Sequence, residues 1–271
     1  MDSALEDNLD IRRASGKLGM PGPLSWAVRM SAGQPAGFEL QMLGSFSLRC
    51  HGVQITLPIS SRRLLAFLAI HGPTSRLVLM GTLWPSVGES HARGSLRTAK
   101  WRLQRAAPLL LEAEDDAIAL TPDVRVDLRT VADSAQLILQ RPDPVSADGA
   151  LVRAWGELLP GWYDDWVIFE RERLRQLRLH ALDALAERFA ARGAYLDALA
   201  VAIESLRIEP LRESANRMII AIHLAEGNAV EAMRHYRFFR DLLSAELGIE
   251  PSPQLFAGLP ASIGGPVRSP A

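Results

Sequence analysis

Between Ser60 and Ala106 the sequence carries Arg62, Arg63, Arg76, Arg93, Arg97, Lys100, Arg102 and Arg105, with Glu89 as the one acid. Eight bases against one acid leave a local excess of seven positive charges, in a chain whose formal net charge is −1. Such an excess suits a polyanion, because cations that neutralise phosphates release the counterions condensed on them. The whole chain is close to neutral, so nucleic-acid affinity would have to come from this segment and not from bulk charge.

Other chemistry finds little support. The six histidines, His51, His71, His91, His180, His223 and His235, form no HExxH pair or comparable ligand spacing. Cys50 is the one cysteine, so an intrachain disulfide and a cysteine-built metal site are both excluded. There is no Gly-x-Ser-x-Gly elbow and no Gly-rich phosphate loop. Asp164 and Asp165 adjoin at the start of an expected helix, where acids complement the helix dipole. The expectation is a protein with no catalytic residue, no metal and no cofactor. No apolar run reaches the length of a membrane span, and residues 1–17 lack the apolar stretch of a secretory signal. A cytoplasmic protein is expected.

The elements that would position the cations can be read from hydrophobic period. Phe38, Leu40 and Met42 alternate with polar residues, as do Phe46 and Leu48, and Val53, Ile55 and Leu57, giving three short strands. A helix capped by Ser60 or Ser61 should run to Ile70, and a second, capped by Thr74 or Ser75, to Trp84. A third should start at Gly88–Ser90 and end near Ala107. At about 100° per residue, Ala92, Leu96, Ala99 and Leu103 form its apolar stripe. Gly94, Arg97, Thr98, Trp101 and Arg105 then lie opposite, with Arg93 and Arg102 on the flanks and Lys100 at the edge of the stripe. After it, residues 109–112 and 118–120 around an acidic turn read as a hairpin, with 124–126 as a trailing strand. Three helices followed by a hairpin are the layout of a winged helix, whose last helix enters the major groove. There Arg97 or Arg105 would meet guanine edges or phosphates, and Thr98 a phosphate or a thymine methyl. Arg62, Arg63 and Arg76, at helix starts, are candidates for positioning on the backbone, with ordinary surface charge as the alternative. The alternative is a solvated basic face with Trp101 packed on the wing.

From Asp127 on, the pattern is helical. Helices are expected at 129–140, 151–158, from Asp164 or Asp165 to Arg192, and at 195–208, 211–226 and 229–247, with Gly248 as a C-cap. Residues 191–199 are echoed by 225–233, an offset of 34 residues that is the tetratricopeptide period. Trp155, Trp162, Tyr163, Trp166 and Phe169 cluster ahead of the long helix. They are expected to form a hydrophobic joint between domains, with a small-ligand pocket as the alternative.

Several segments are recognisable. Residues 62–69, Thr82–Pro85, Ser95–Ala99 and Trp101–Leu103 resemble the OmpR-type winged helix of the SARP family. Residues 157–166, 170–174, 211–215, 224–228 and 246–253 resemble the bacterial transcriptional activation domain that follows it there. The resemblance covers roughly residues 38–255. It implies an activator that binds promoter direct repeats and contacts RNA polymerase, with Glu89–Ala106 as recognition helix and protomers pairing on tandem sites. Lys100 departs from the family, which usually has an apolar residue there. These 271 residues contain no Walker loop of the kind found in the longer members, and a receiver-phosphorylation switch is not expected within them.

The sequence therefore predicts a mainly α fold with a small β component. Residues 1–36 are expected as a disordered tail and 37–127 as a winged helix-turn-helix. An all-α TPR-like domain would occupy 128–255 and a flexible tail 256–271. The expected partner is double-stranded DNA, read by Arg93, Arg97, Thr98, Trp101, Arg102, Arg105, Arg62 and Arg76. The competing expectation is a TPR-type interaction scaffold whose winged helix binds protein.

Overall fold

The computed structural model describes residues 37–114, 116–140 and 155–256. Both expected tails, apart from Phe256, and residues 151–154 of the expected 151–158 helix lie outside them. Strands β1 (Phe38–Gln41), β2 (Ser47–Cys50) and β3 (Val53–Ile55) come first. Helices α1 (Ile59–His71), α2 (Arg76–Leu83) and α3 (Glu89–Ala106) follow, with β4 (Thr74–Ser75) between the first two. Then come β5 (Leu111–Glu114), β6 (Ala117–Leu120) and β7 (Arg125–Val126). The remainder is helical: α4 (Asp127–Gln140), α5 (Asp165–Ala191), α6 (Tyr195–Ile208), α7 (Glu213–Ala225) and α8 (Ala229–Leu247), closed by a 3-10 turn at Pro253–Phe256. One sheet has the order β3-β2-β1-β7 and the other β4-β6-β5. The mainly α architecture with a small β component is thus as the sequence predicts. Among the described residues no helix is long and apolar enough to cross a membrane.

Contacts divide the chain into two compact units. One holds residues 37–38 and 49–124, the other residues 39–48 and those from 125 onward.

In the first unit, α1, α2 and α3 pack on one another around Leu64, Leu65, Leu68, Leu79, Leu83 and Leu103, all essentially without exposure. Fully burying each such leucine is worth roughly 1.5–3 kcal/mol. The helix starts use different devices. Ser75 caps α2, its Oγ accepting from the Val78 amide. Neither Ser60 nor Ser61 caps α1, whose N-cap position is Pro58. Ser61 is buried, and its hydroxyl donates to the Ala99 carbonyl at 3.1 Å. It ties α1 to α3 where the small side chain of Ala99 lets the backbones approach. The hairpin β5–β6 is held to the helices by β4, with Thr74 opposite Ile118 and Ser75 opposite Ala117. The residues that start α2 therefore also anchor the wing.

In the second unit, β1 pairs in parallel with β7, Glu39 opposite Arg125 and Leu40 opposite Val126. Asp127 closes this pairing. Its carboxylate accepts from the amides of Met42, Leu43 and Leu128 at 2.7–3.0 Å, joining the end of β1 to the first turn of α4. Behind it, Ala135 and Ile138 of α4 share a core with Leu182, Leu185, Val201 and Ile219. A second core gathers Ile220, Ala232, Tyr236, Phe239 and Leu243 of α7 and α8.

The offset of 34 residues is a real structural repeat. Gly193 and Gly227 take φ of +74° and +77° after α5 and α7. In each case the next amide returns to the last helical turn: Ala194 to the Phe189 carbonyl at 2.9 Å, Asn228 to that of His223 at 2.8 Å. A left-handed residue there costs glycine nothing, which is why it recurs at that place. Residues 155–157 are not helical, and Leu158 forms a strand bridge with Leu43 instead. Gly156 passes close to this strand edge, where an added Cβ would meet the Gly44 backbone at 3.0 Å. The aromatic residues do not form one cluster. Trp162 stacks on Phe46 with ring centroids 5.7 Å apart and Trp166 is buried, whereas Tyr163 and Phe169 are exposed.

Candidate nucleic-acid interface

Helix α3 has the two faces its spacing predicts. Ala92, Leu96, Ala99 and Leu103 are its buried residues. Arg93, Arg97, Thr98, Trp101, Arg102 and Arg105 are all exposed, and Lys100 is half-buried beside the stripe. Trp101 keeps 53% of its surface exposed, a large apolar area to leave on a polar face. The Arg105 guanidinium lies 5.3 Å from its ring centroid, within cation–π range. One helical turn therefore presents a flat ring and a guanidinium ordered against it.

The cations differ in their engagements. Arg97, Lys100, Arg102 and Arg105 have no carboxylate partner among the described residues. Arg93 pairs with Glu89 at 2.6 Å and Arg76 with Asp116 at 3.4 Å. Arg62 turns inward, its Nε donating to the Leu57 carbonyl at 2.8 Å. Arg76 sits where α2 meets the wing, and its amide donates to the Asp116 carbonyl. A groove of about 490 Å³ between α2, α3 and the hairpin is lined by Arg76, Arg93, Arg97 and Lys100, by Glu89 and Asp116, and by apolar residues that include Met80 and Leu96.

Many arginines of the second unit are paired instead. Arg171 pairs with Glu157, Arg173 with Glu170, Arg175 with Glu172 and Glu209, Arg178 with Glu204 and Arg212 with Asp183. The bond from Arg175 holds the Glu172 carboxyl down to about 2. Burial lowers the pKa of Arg178, whose guanidinium also lies 5.8 Å from the Trp155 ring centroid. The pairs of Arg175 with Glu209, Arg178 with Glu204 and Arg212 with Asp183 tie α5 to the segments that follow it. On α3, by contrast, Arg97, Lys100, Arg102 and Arg105 have no such carboxylate among the described residues.

Sequence reasoning named Glu89 and the acidic turn of the hairpin but missed their pairing with Arg93 and Arg76. The Glu89–Arg93 spacing of four residues could have disclosed the first pair. Nothing local discloses Arg76–Asp116, which are 40 residues apart. Among the described residues no group of three or more His, Cys, Asp or Glu could hold a metal ion.

A family model described as the bacterial transcriptional activator domain matches residues 128–259. The regulatory protein AfsR of Streptomyces coelicolor is 29% identical over 187 residues, covering 65% of this chain and 19% of the relative. AfsR of Streptomyces griseus is 26% identical over 191 residues, with the same coverage. The solved structure of Mycobacterium tuberculosis EmbR in complex with a low-affinity phosphopeptide superposes with a TM-score of 0.68 at 24% identity, covering 82% of this chain and 63% of that one. The chain is similar to SARP-type regulators, and residues 128–259 match the bacterial transcriptional activator domain, as the sequence motifs imply. The chain spans about a fifth of the length of the AfsR relatives it matches, and the EmbR likeness bears on its fold.

Proposed function

We propose that this protein is a sequence-specific DNA-binding regulator that activates transcription. In this reading residues 37–127 bind duplex DNA, and residues 128–255 present a helical surface to RNA polymerase or to a second protomer on a tandem site. The tails at 1–36 and 256–271 lie outside both. Residues Arg93, Arg97, Thr98, Trp101, Arg102 and Arg105 of α3 enter the major groove, while Arg62 and Arg76 position the unit on the backbone. The protein works in the cytoplasm, and the reading requires no catalytic step.

The observation that carries it is the cation set of α3 without carboxylate partners, beside an exposed tryptophan, in a molecule that pairs so many of its other arginines. Such charge costs self-repulsion in the free protein and is compensated only by an anionic partner. An interaction scaffold leaves it unexplained.

The test is selection of bound sequences from a random duplex library by the purified chain, followed by affinity across a salt series. Recovery of a spaced direct repeat with salt-sensitive binding is expected. No enrichment together with salt-independent binding would overturn the reading. Transcription in vitro from a promoter carrying the selected repeat then tests activation, with stimulation expected and repression or no change counting against it.

A further inference from the structure

Binding phosphates calls for cations, yet the groove between α2, α3 and the wing also holds Glu89 and Asp116. Glu89 accepts from Arg93 at 2.6 Å, with 68% and 70% of the two side chains exposed. Asp116 accepts from Arg76 at 3.4 Å, with 70% and 40% exposed. Ion pairs this open to water add little to stability, so holding the fold together does not account for them. Both carboxylates line the same groove as Arg97 and Lys100.

We propose that Glu89 and Asp116 set the discrimination between selected and unselected DNA by occupying Arg93 and Arg76 until α3 is seated. This rests on the DNA-binding reading above. On unselected duplex the protein is held by phosphates alone. There the two carboxylates keep two cations from the backbone and face its phosphates themselves. On a selected site, contacts to base edges fix α3 in the groove. Arg93 and Arg76 then exchange their carboxylates for phosphates, at small cost because exposed pairs are weak. The two acids thus subtract from loose binding more than from seated binding. A carboxylate about 7 Å from a phosphate in a water-like dielectric weakens binding about threefold.

The experiment compares the full chain with Glu89→Gln, Asp116→Asn and the double variant. Each is titrated with a duplex recovered by selection and with a scrambled duplex of the same length, across a salt series. Each single variant should bind the scrambled duplex about threefold more tightly and the double variant about tenfold. The salt slope on that duplex should steepen. The selected duplex should gain less than about twofold, so selectivity falls. Glu89→Gln removes a favourable charge from the first turn of α3. Asp116→Asn leaves that helix untouched and carries the test alone if the first variant melts early. Unchanged or weaker binding to the scrambled duplex overturns the proposal, and so does an equal gain on both duplexes. Wild-type protein that binds neither duplex in a salt-sensitive way overturns the DNA-binding reading itself, before any variant is made.

Discussion

Arg97→Ala separates reading from mere attraction. Arg97 is exposed and has no carboxylate partner, and the apolar stripe of α3 lies on the other side of the helix. Truncation therefore removes no native ion pair and leaves no buried group unsatisfied. Alanine is also the best helix former, so the free protein should change in stability by no more than about 0.5 kcal/mol. The cost should appear in the complex. If the guanidinium makes a bidentate contact with a guanine edge, about 1–3 kcal/mol of discrimination is lost. That corresponds to roughly 5- to 150-fold weaker binding at 1.4 kcal/mol per decade. The loss would be confined to duplexes with guanine at one position. If it contacts a phosphate, affinity falls alike on all sequences, and the slope of log affinity against log salt drops by about 0.9. Fluorescence anisotropy with the selected duplex, a single-base variant series and several salt concentrations distinguishes the two. Unchanged affinity and unchanged slope on every duplex would refute the assignment of this face to DNA.

Asp127→Asn should destabilise the second unit by about 2 kcal/mol, because an amide replaces one oxygen of a charged acceptor that serves three backbone amides. Urea unfolding followed by circular dichroism measures it, and a change below about 0.5 kcal/mol would contradict the clamp. Arg171→Lys removes the guanidinium fork that donates to the Leu158, Leu159 and Trp162 carbonyls. Amide exchange at Gly44 and Leu159, which donate to Glu157 and Met42, should then accelerate ahead of the helical core. His235 has its pKa lowered to about 4 by burial and by the nearby His223. The side-chain amide of Asn216 donates to the Pro210 and Arg212 carbonyls, so its oxygen faces His235 and takes the Nε2 proton. The folded state thus prefers neutral imidazole. Its contribution to stability is complete above the free histidine value of about 6.5 and is lost as pH falls from there toward 4. Unfolding free energies of wild type and His235→Gln across that window should converge as pH drops, and parallel curves would count against it.

What was legible in the sequence was local and periodic. The apolar stripe of α3 and the paired turns at Gly193 and Gly227 follow from helical spacing and from the φ that glycine tolerates. The Ser75 cap follows from its place before α2. Long-range partners were not legible. Asp127 reaches back 85 residues to Met42, and Ser61 reaches forward 38 to Ala99. In both cases a residue type suited to a helix start was available, and tertiary contact decided its use. Residues 155–159 show the same override, since Glu157 and Leu159 bond to the backbone of Gly44 and Met42 instead of continuing a helix. At the interface, period disclosed which side chains of α3 face outward. It did not disclose that Arg76 and Arg93 are already paired while Arg97 and Arg105 are not.

That difference divides the arginines of this protein into two populations with opposite responses to salt. Arg178 and Glu204 keep only 12% and 21% of their side chains exposed, and Arg212 and Asp183 keep 16% and 19%. Largely buried pairs are screened weakly, and breaking one strands its partner. Asp183 also accepts from the Ser214 hydroxyl, which fixes its second role beside α7. The α3 cations face water, where screening acts within about 8–10 Å at ordinary ionic strength. Raising salt should therefore abolish duplex binding while the helical unit keeps its melting temperature. A melting temperature that fell in step with DNA affinity would mean the buried pairs are more open than their exposure indicates. A net charge of −1 hides both populations, because the sum takes no account of which cations have a carboxylate beside them.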